Sequence, residues 1–256
     1  SLSLAIGLVP HVSILLSWAS YLSIASVSEP FLNFQWDALL LEVYLISIFF
    51  VPWRFFDNKD NIESPPTIGR WLLWLLIIKL MLQSGIVKFT FFDVDGSNAW
   101  RDLTALEYHF WTQPIPSWLS YYFDALPTVI DKIALIFTYV CELIIPFFIL
   151  LPRKMRRIAA ISLILFQFLI ILSGNYGFFN LLTITLCISL FDDQYLRKLN
   201  FSSVVNGKPF LKNYIVFKKI KRGLSFLVLI LFVYLFVIFI GRDLKGNRLS
   251  SPDMNK

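Results

Sequence analysis

The sequence predicts an all-α membrane protein, a polytopic bundle of about seven transmembrane helices with one extracytoplasmic interfacial helix. Composition carries this prediction, because 57% of the residues are hydrophobic, 17% are aromatic and the mean hydropathy is +0.68. Soluble domains are about half apolar and seldom contain so many long apolar runs. Both cysteines, Cys141 and Cys187, fall inside such runs. We therefore expect them to be packing residues and predict no disulfide framework.

Seven segments approach the roughly 20 apolar residues that a membrane-spanning helix needs. They are residues 4–25, 35–55, 70–89, 129–151, 158–173, 176–191 and 224–240. Only Gly174 and Asn175 separate the fifth and sixth segments, which form either a tight hairpin or a pair of partly buried helices. Prolines stand at predicted helix ends, where they are tolerated; they are Pro52, Pro65, Pro66, Pro127 and Pro152.

The basic residues predict the orientation of the chain. Alternate loops carry 15 lysines and arginines on one side and 6 on the other. Cytoplasmic loops are the richer ones, so the N-terminus is predicted to be cytoplasmic and the C-terminus lumenal or periplasmic. The net charge of +6 then reflects topology, and no nucleic-acid partner is expected.

This orientation suggests three parts. Residues 1–191 form the transmembrane bundle, with an interfacial segment at 97–127. Residues 192–222 form a basic cytoplasmic connector. Residues 223–256 contain the last transmembrane helix and the start of an extracytoplasmic tail.

Two lysines lie in the third predicted span. Lys79 is near its middle and Lys88 is nine residues further on, about 13 Å along the helix axis. An ionisable side chain inside a span is costly and is a functional-site hypothesis by default. Lys88 either extends to the interface or lines a cavity that opens to the extracytoplasmic side. Lys79 is expected either to pair with a carboxylate, Glu42 or Glu142, or to act as a base, because desolvation favours the neutral amine.

Three carboxylates are the expected counterparts of these bases. Asp37 stands at the start of the second span, where it either caps the helix or reaches an interfacial base. Glu42 lies deeper in the same span, and Glu142 lies centrally in the fourth, before Pro146. Because lone charges are disfavoured in hydrocarbon, we expect Glu42 and Glu142 to be compensated by Lys79, Lys88, Arg101 or His11.

The segment WRDLTALEYHFWTQPIPSW, residues 100–118, is too polar to span a bilayer. It predicts a short amphipathic helix that starts near Asp102 and a turn broken by proline. The aromatic and leucine side chains are expected at the membrane interface. Arg101, Glu107 and His109 are expected to face water or the bundle, either around a surface helix or as part of a site at the membrane boundary.

The segment GNYGFFN, residues 174–180, places Asn175 and Asn180 at a helix junction, where polar side chains commonly bond across helices. The chain contains two histidines, His11 and His109. No metal site is predicted, and no common catalytic or phosphate-binding motif is present.

Several blocks taken together resemble the lipase maturation factor family: FLNFQWDALLLE, SGIVKF, WRDLTALEYHFWTQPIPSW, ELIIPFFI and SGNYGFFNLLTI. The resemblance covers roughly residues 31 to 193. It implies a membrane protein of the endoplasmic reticulum in animals, or of the inner membrane in bacteria. It also implies a chaperone that helps secreted lipases to fold, with a soluble lumenal region after the membrane domain.

The family is in turn distantly similar to the vitamin K-dependent γ-carboxylase and its HTTM relatives. In the carboxylase a lysine acts in the vitamin K chemistry, and the matching residue in SGIVKF is Lys88. This similarity implies a catalytic role for Lys88 as a base, with a lipid or quinone as cofactor.

Three hypotheses for the function follow. The first is a lipase maturation factor-like protein that assists secreted lipases or other exported clients. The second is a membrane enzyme of the carboxylase superfamily. The third is a non-catalytic membrane anchor subunit. The sequence leaves an enzymatic role open and favours a non-catalytic one, with membrane lipids as partners in every case.

Overall fold

The computed structural model describes residues 2–28, 31–32, 34–51, 67–92, 96–113, 115–198 and 214–244, which contain helices and turns but no β-strand. The predicted all-α class is confirmed. The α-helices are α1 (Leu2–Ala5), α2 (Pro10–Val27), α3 (Gln35–Phe50), α4 (Thr67–Thr90), α5 (Ala105–Thr112), α6 (Ser120–Asp124), α7 (Thr128–Tyr139), α8 (Arg153–Ser173), α9 (Phe179–Ile188), α10 (Asp193–Lys198) and α11 (Tyr214–Leu244).

Four segments in the described part of the chain are long and apolar enough to cross a membrane: Thr67–Thr90, Thr128–Leu150, Arg153–Ser173 and Arg222–Leu244. They coincide with the third, fourth, fifth and seventh predicted spans. The other three predicted spans coincide with α2, α3 and α9, which are 18, 16 and 10 residues long. Length and composition therefore support four of the seven predicted spans.

Several predicted boundaries differ from the structure. Helix α8 begins directly after Pro152 and includes the basic residues before residue 158, because long basic side chains can extend from a helix end into water. The predicted sixth span is the short helix α9. The basic connector is helical at both ends, in α10 and in the first part of α11. The ends predicted at Pro52, Pro65 and Pro66 lie outside the described residues.

The chain divides into two compact units. The first comprises Ser1–Leu76 and Asp192–Val233. Within it α2 packs against α3 as a helical hairpin. At the start of α4, a Cβ on Gly69 would lie 3.4 Å from the carbonyl oxygen of Phe49. This is an ordinary van der Waals distance, so the start of α4 packs against the end of α3.

The second unit comprises Ile77–Phe191 and Tyr234–Lys256. Helix α8 packs against α9, and α5 packs against α6 and α7. Leu135, Ile149 and Leu163 are fully buried in its core. The Nε of Arg156 donates a hydrogen bond of 3.2 Å to the carbonyl of Leu190, which ties the start of α8 to the turn after α9.

The fourth predicted span changes helix type near its middle. After α7 the chain forms a π-helical turn over Val140–Ile144 and a 3₁₀ segment over Ile145–Leu150. Pro146 explains the change, because proline has no N–H for the carbonyl four residues earlier and its ring would clash with that carbonyl. That carbonyl belongs to Glu142. The π turn relieves the conflict, and such turns often occur at functional sites.

Candidate functional site

The C-terminal end of α4 packs closely on the π turn because Gly85 has no side chain. A Cβ at Gly85 would lie 2.6 Å from Cδ2 of Leu143 and 3.0 Å from Cβ of Glu142. The close approach brings the next turn of α4, which carries Lys88, against Glu142.

Lys88 and Glu142 form an ion pair at this contact. The Nζ of Lys88 lies 2.5 Å from Oε1 of Glu142, and 22% of the Lys88 side chain is exposed against 5% for Glu142. The same ammonium lies 3.4 Å from the carbonyl of Ser84. The predicted compensation of Glu142 by a base is confirmed. Because Lys88 is directed at this carboxylate, its side chain does not simply extend to the interface.

Trp100 lies beside this ion pair. The Nζ of Lys88 is 5.2 Å from the centre of the Trp100 ring, a cation–π distance. The ring of Trp100, which is expected at the membrane interface, lies over Lys88. The ring limits the access of water to the ammonium and strengthens its electrostatic contacts.

Asn98 holds the segment that carries Trp100. Its Nδ2 donates to the carbonyls of Lys88 at 3.1 Å and Phe89 at 3.4 Å, at the end of α4. Its Oδ1 accepts the backbone N–H groups of Trp100 at 3.0 Å and Arg101 at 3.2 Å. One buried side chain therefore satisfies both a helix end and a turn. Asn98 was missed in the sequence, where only its place in a Gly-Ser-Asn turn was a signal.

Arg101 leaves this turn toward aromatic rings. Its guanidinium lies 4.7 Å from the ring centre of Phe89 and 5.4 Å from that of Phe92. The amphipathic helix predicted to start near Asp102 begins at Ala105 instead. The preceding turn ends on Leu103, which has a φ of 58° and reverses the chain before a regular helix can form.

His109 and Tyr176 stack in parallel, with ring centres 6.4 Å apart. Their Nε2 and hydroxyl are 2.8 Å apart and share a hydrogen bond. Burial lowers the pKa of His109 below its usual 6.5, and the positive charge of Lys88 lowers it further. His109 is therefore held as a neutral imidazole within electrostatic range of the Lys88–Glu142 pair.

Gln113 fixes the far end of this segment. Its Nε2 donates to the carbonyl of Ser173 and to Oγ of Ser120, both at 3.0 Å. Ser117 donates to the carbonyl of Leu172 at 2.7 Å. These bonds satisfy carbonyls at the end of α8 that have no helical donor. We call residues 96–124 the clamped segment. Asn98 fixes its start to α4, and its second half bonds to the end of α8 through Gln113, Ser117 and Ser120.

The remaining predicted site residues do not join this pair. Asp37 is buried at the start of α3, where Oδ2 accepts the N–H of Phe34 at 3.1 Å and Oδ1 accepts the hydroxyl of Tyr21. The capping alternative is thus the one observed. Glu42 is half-buried on α3. Lys79 lies 5.8 Å from the ring centre of Phe239.

The polar residues of the clamped segment and the helix junction have separate places. Asp102 is exposed and Glu107 is half-buried on α5. Asn175 closes a turn by accepting the N–H of Gly177 at 3.1 Å. Asn180 is buried, and its Nδ2 donates to the carbonyl of Gln167 at 3.4 Å, which is the predicted bond across helices.

Both cysteines are buried and unbonded to each other, as expected of packing residues. Within the described residues, no group of three or more His, Cys, Asp or Glu side chains is arranged to hold a metal ion.

Comparison with known proteins identifies the family. Residues 1–198 match the family model described as the lipase maturation factor transmembrane domain. Lipase maturation factor 2 of Xenopus laevis is 41% identical over 184 residues, which are 71% of this chain and 26% of that protein. The human protein of the same name is 38% identical over 191 residues, with the same two coverages of 71% and 26%.

Lipase maturation factor 1 of Mus musculus is 34% identical over 179 residues, covering 70% of this chain and 30% of that protein. The chain thus spans 26% to 30% of the length of these relatives. No solved structure matches the chain. Because the family model extends over most of the sequence, the chain belongs to the lipase maturation factor family.

Proposed function

We propose that the chain is the membrane domain of a factor that assists the folding or maturation of secreted lipases or other exported clients. Its family membership and its apolar helices support this role. We further propose about seven spans, with α2, α3 and α9 crossing the membrane together with the four longer segments. The N-terminus is then cytoplasmic, and the protein lies in the endoplasmic reticulum or a bacterial inner membrane.

The observation that carries the proposal is the clamped segment. It is fixed at both ends yet exposes large rings, with 63% of Trp111, 80% of Trp118 and 76% of Tyr121 accessible. The 15-to-6 distribution of basic residues supports an extracytoplasmic position for this segment. Rigid, exposed aromatic side chains can bind unfolded apolar segments at a small cost in conformational entropy.

A secretion assay tests the client role. Cells that depend on this protein for the export of an active lipase receive a triple variant, Trp111→Ala, Trp118→Ala and Tyr121→Ala. We expect active lipase in the medium to fall about tenfold, while the variant accumulates normally in the membrane. The fall corresponds to the loss of one or two interface anchors.

The matched control removes exposed apolar side chains elsewhere, by Ile133→Ala, Leu165→Ala and Leu181→Ala. It should secrete lipase at the wild-type level. Undiminished secretion by the aromatic variant would rule out the clamped segment as the client-binding surface.

A second candidate is a membrane enzyme of the carboxylase superfamily that acts on a quinone or lipid with Lys88 as the base. The ion pair at the end of α4 favours it, because charged pairs at the membrane boundary often belong to sites. An amine serves as a base only after it has lost its proton, so here the pair with Glu142 must first separate.

Lys88→Arg distinguishes the two candidates. Arginine keeps the positive charge beside Glu142 but stays protonated. Under the client-folding proposal this variant retains most of the lipase secretion. Under the enzyme proposal it loses all activity, as Lys88→Met would.

A further inference from the structure

Two buried polar atoms next to the ion pair have no hydrogen-bond partner among the residues that the structure describes. They are Oε2 of Glu142 and the hydroxyl of Tyr139. Tyr139 ends α7, and Glu142 lies in the π turn that follows directly. Buried polar groups are almost always paired, and an exception requires an explanation such as a bound molecule.

Other contacts of the Glu142 and Tyr139 side chains show where these two atoms lie. Oε1 of the same carboxylate is 2.5 Å from Nζ of Lys88. The ring of Tyr139 meets the ring of Phe89 edge to face, with centres 6.1 Å apart. The two unpaired atoms therefore lie at the C-terminal end of α4. The ring of Trp100 lies 5.2 Å from the same Nζ of Lys88, and 22% of the Lys88 side chain is exposed.

The donor and acceptor requirements of this place restrict what it can bind. An ionised carboxylate only accepts hydrogen bonds, so Oε2 of Glu142 needs an O–H or N–H donor. The hydroxyl of Tyr139 can donate, so it needs an acceptor. Lys88 and Glu142 cancel each other's charge, which favours an uncharged ligand. An alcohol hydroxyl satisfies both groups, because it donates through its hydrogen and accepts through its oxygen.

Charged and carbonyl-only lipids fit less well. A phosphate diester has no hydrogen to donate, and its negative charge would lie beside Glu142. A quinone also offers only acceptors. We propose that Lys88, Glu142 and Tyr139 form a binding site for an uncharged lipid with a free headgroup hydroxyl, such as a diacylglycerol. The site goes beyond the proposed function, and its occupation does not require a client protein.

The hydroxyl itself is the feature to test. The protein is reconstituted in phosphatidylcholine nanodiscs and exposed to a dioleoylglycerol with a photoactivatable group in one acyl chain. The matched probe is the methyl ether of the same molecule, which keeps the acceptor but has no hydrogen to donate. We expect the free hydroxyl form to label the protein about tenfold more, the value of one hydrogen bond to a charged group.

Tyr139→Phe provides the second measurement. Since its hydroxyl has no partner in the described structure, the variant should fold normally and unfold at the same temperature as the wild type, or slightly higher. We expect labelling by the hydroxyl probe to fall at least threefold, toward that of the ether. Tyr234→Phe, at an exposed tyrosine on α11, should label like the wild type.

The possible outcomes separate clearly. Preference for the hydroxyl probe that Tyr139→Phe removes supports the site. Equal labelling by the two probes would overturn the proposal, because the place then holds a water molecule or contacts only the acyl chain. A preference that Tyr139→Phe leaves unchanged would also overturn it. The lipase-secretion assay is separate, so its failure and the failure of this proposal remain distinguishable.

Discussion

At the scale of single residues, the pair of Lys88 and Glu142 is costly to disrupt. Glu142 is 95% buried as a side chain, since 5% of it remains exposed. Removing one partner of a buried pair leaves an uncompensated charge, which costs roughly 3–5 kcal/mol. Replacing both partners by apolar residues of similar size is often neutral.

Lys88→Met is therefore expected to destabilise the protein by about 3 kcal/mol or more. The double variant Lys88→Met, Glu142→Leu should recover most of that loss. Thermal unfolding in detergent measures both, with a thiol-reactive dye that reports exposure of the two buried cysteines, Cys141 and Cys187. As a control, Lys132→Met changes an exposed lysine in the span that contains Glu142, and it should have little effect. A double variant no more stable than Lys88→Met would contradict the pairing.

A second residue-scale prediction concerns His109, whose pKa is lowered by burial and by Lys88. Between that lowered pKa and the unfolded value of 6.5, the unfolded chain binds more protons than the folded one. The contribution of His109 to the free energy of unfolding is therefore fully present above pH 6.5 and is lost as the pH falls below it. We expect the unfolding temperature to decrease as the pH is lowered from about 7.5 to about 5.5.

His109→Gln should flatten this dependence, because glutamine does not titrate. An unchanged slope in His109→Gln would show that other groups cause the pH dependence.

At the scale of elements, the contact between α4 and the π turn depends on Gly85. Gly85→Ala places a Cβ 3.0 Å from Cβ of Glu142 and 2.6 Å from Cδ2 of Leu143. The Leu143 tip can rotate, but the Glu142 Cβ is fixed by the backbone. We expect a loss of about 1–3 kcal/mol by overpacking, together with a weaker coupling between Lys88 and Glu142.

Gly241→Ala is the matched control in α11, where a Cβ would meet nothing within 4 Å. Alanine is the better helix former, so this variant should be as stable as the wild type or more stable. Thermal unfolding compares the two substitutions. Equal stability of both variants would show that α4 does not need the close approach.

The sequence was sufficient for the apolar helices and for the charges that pair, but not for the geometry between them. Lys88 and Glu142 could be selected because charges inside apolar runs require partners. Which base would reach Glu142 depended on Gly85 and Pro146, whose effects appear only when two helices pack. Asn98 and Gln113 could not be selected, since a polar residue in a loop commonly faces water. The turn at Leu103 moves the start of α5 to Ala105. Hydrophobic periodicity does not encode such a local turn.

At the scale of the whole molecule, the proposed client role depends on the side of the membrane that the clamped segment faces. Its exposed aromatic side chains can meet an exported client only from the lumen or periplasm. Four long apolar segments establish a membrane protein, and the basic residues supply the proposed orientation. The shorter helices α2, α3 and α9 must also cross for the proposed topology to hold.

Site-specific labelling tests this claim most directly. Cysteine is introduced on the clamped segment by Ser97→Cys or Tyr121→Cys, both at exposed positions, and on α10 by Gln194→Cys. The background is low because both native cysteines are buried. With a membrane-impermeant thiol reagent added to intact spheroplasts, we predict labelling of Ser97→Cys and Tyr121→Cys, and of Gln194→Cys only after the membrane is opened. Labelling of Gln194→Cys in intact spheroplasts, with protection of the other two, would contradict the account.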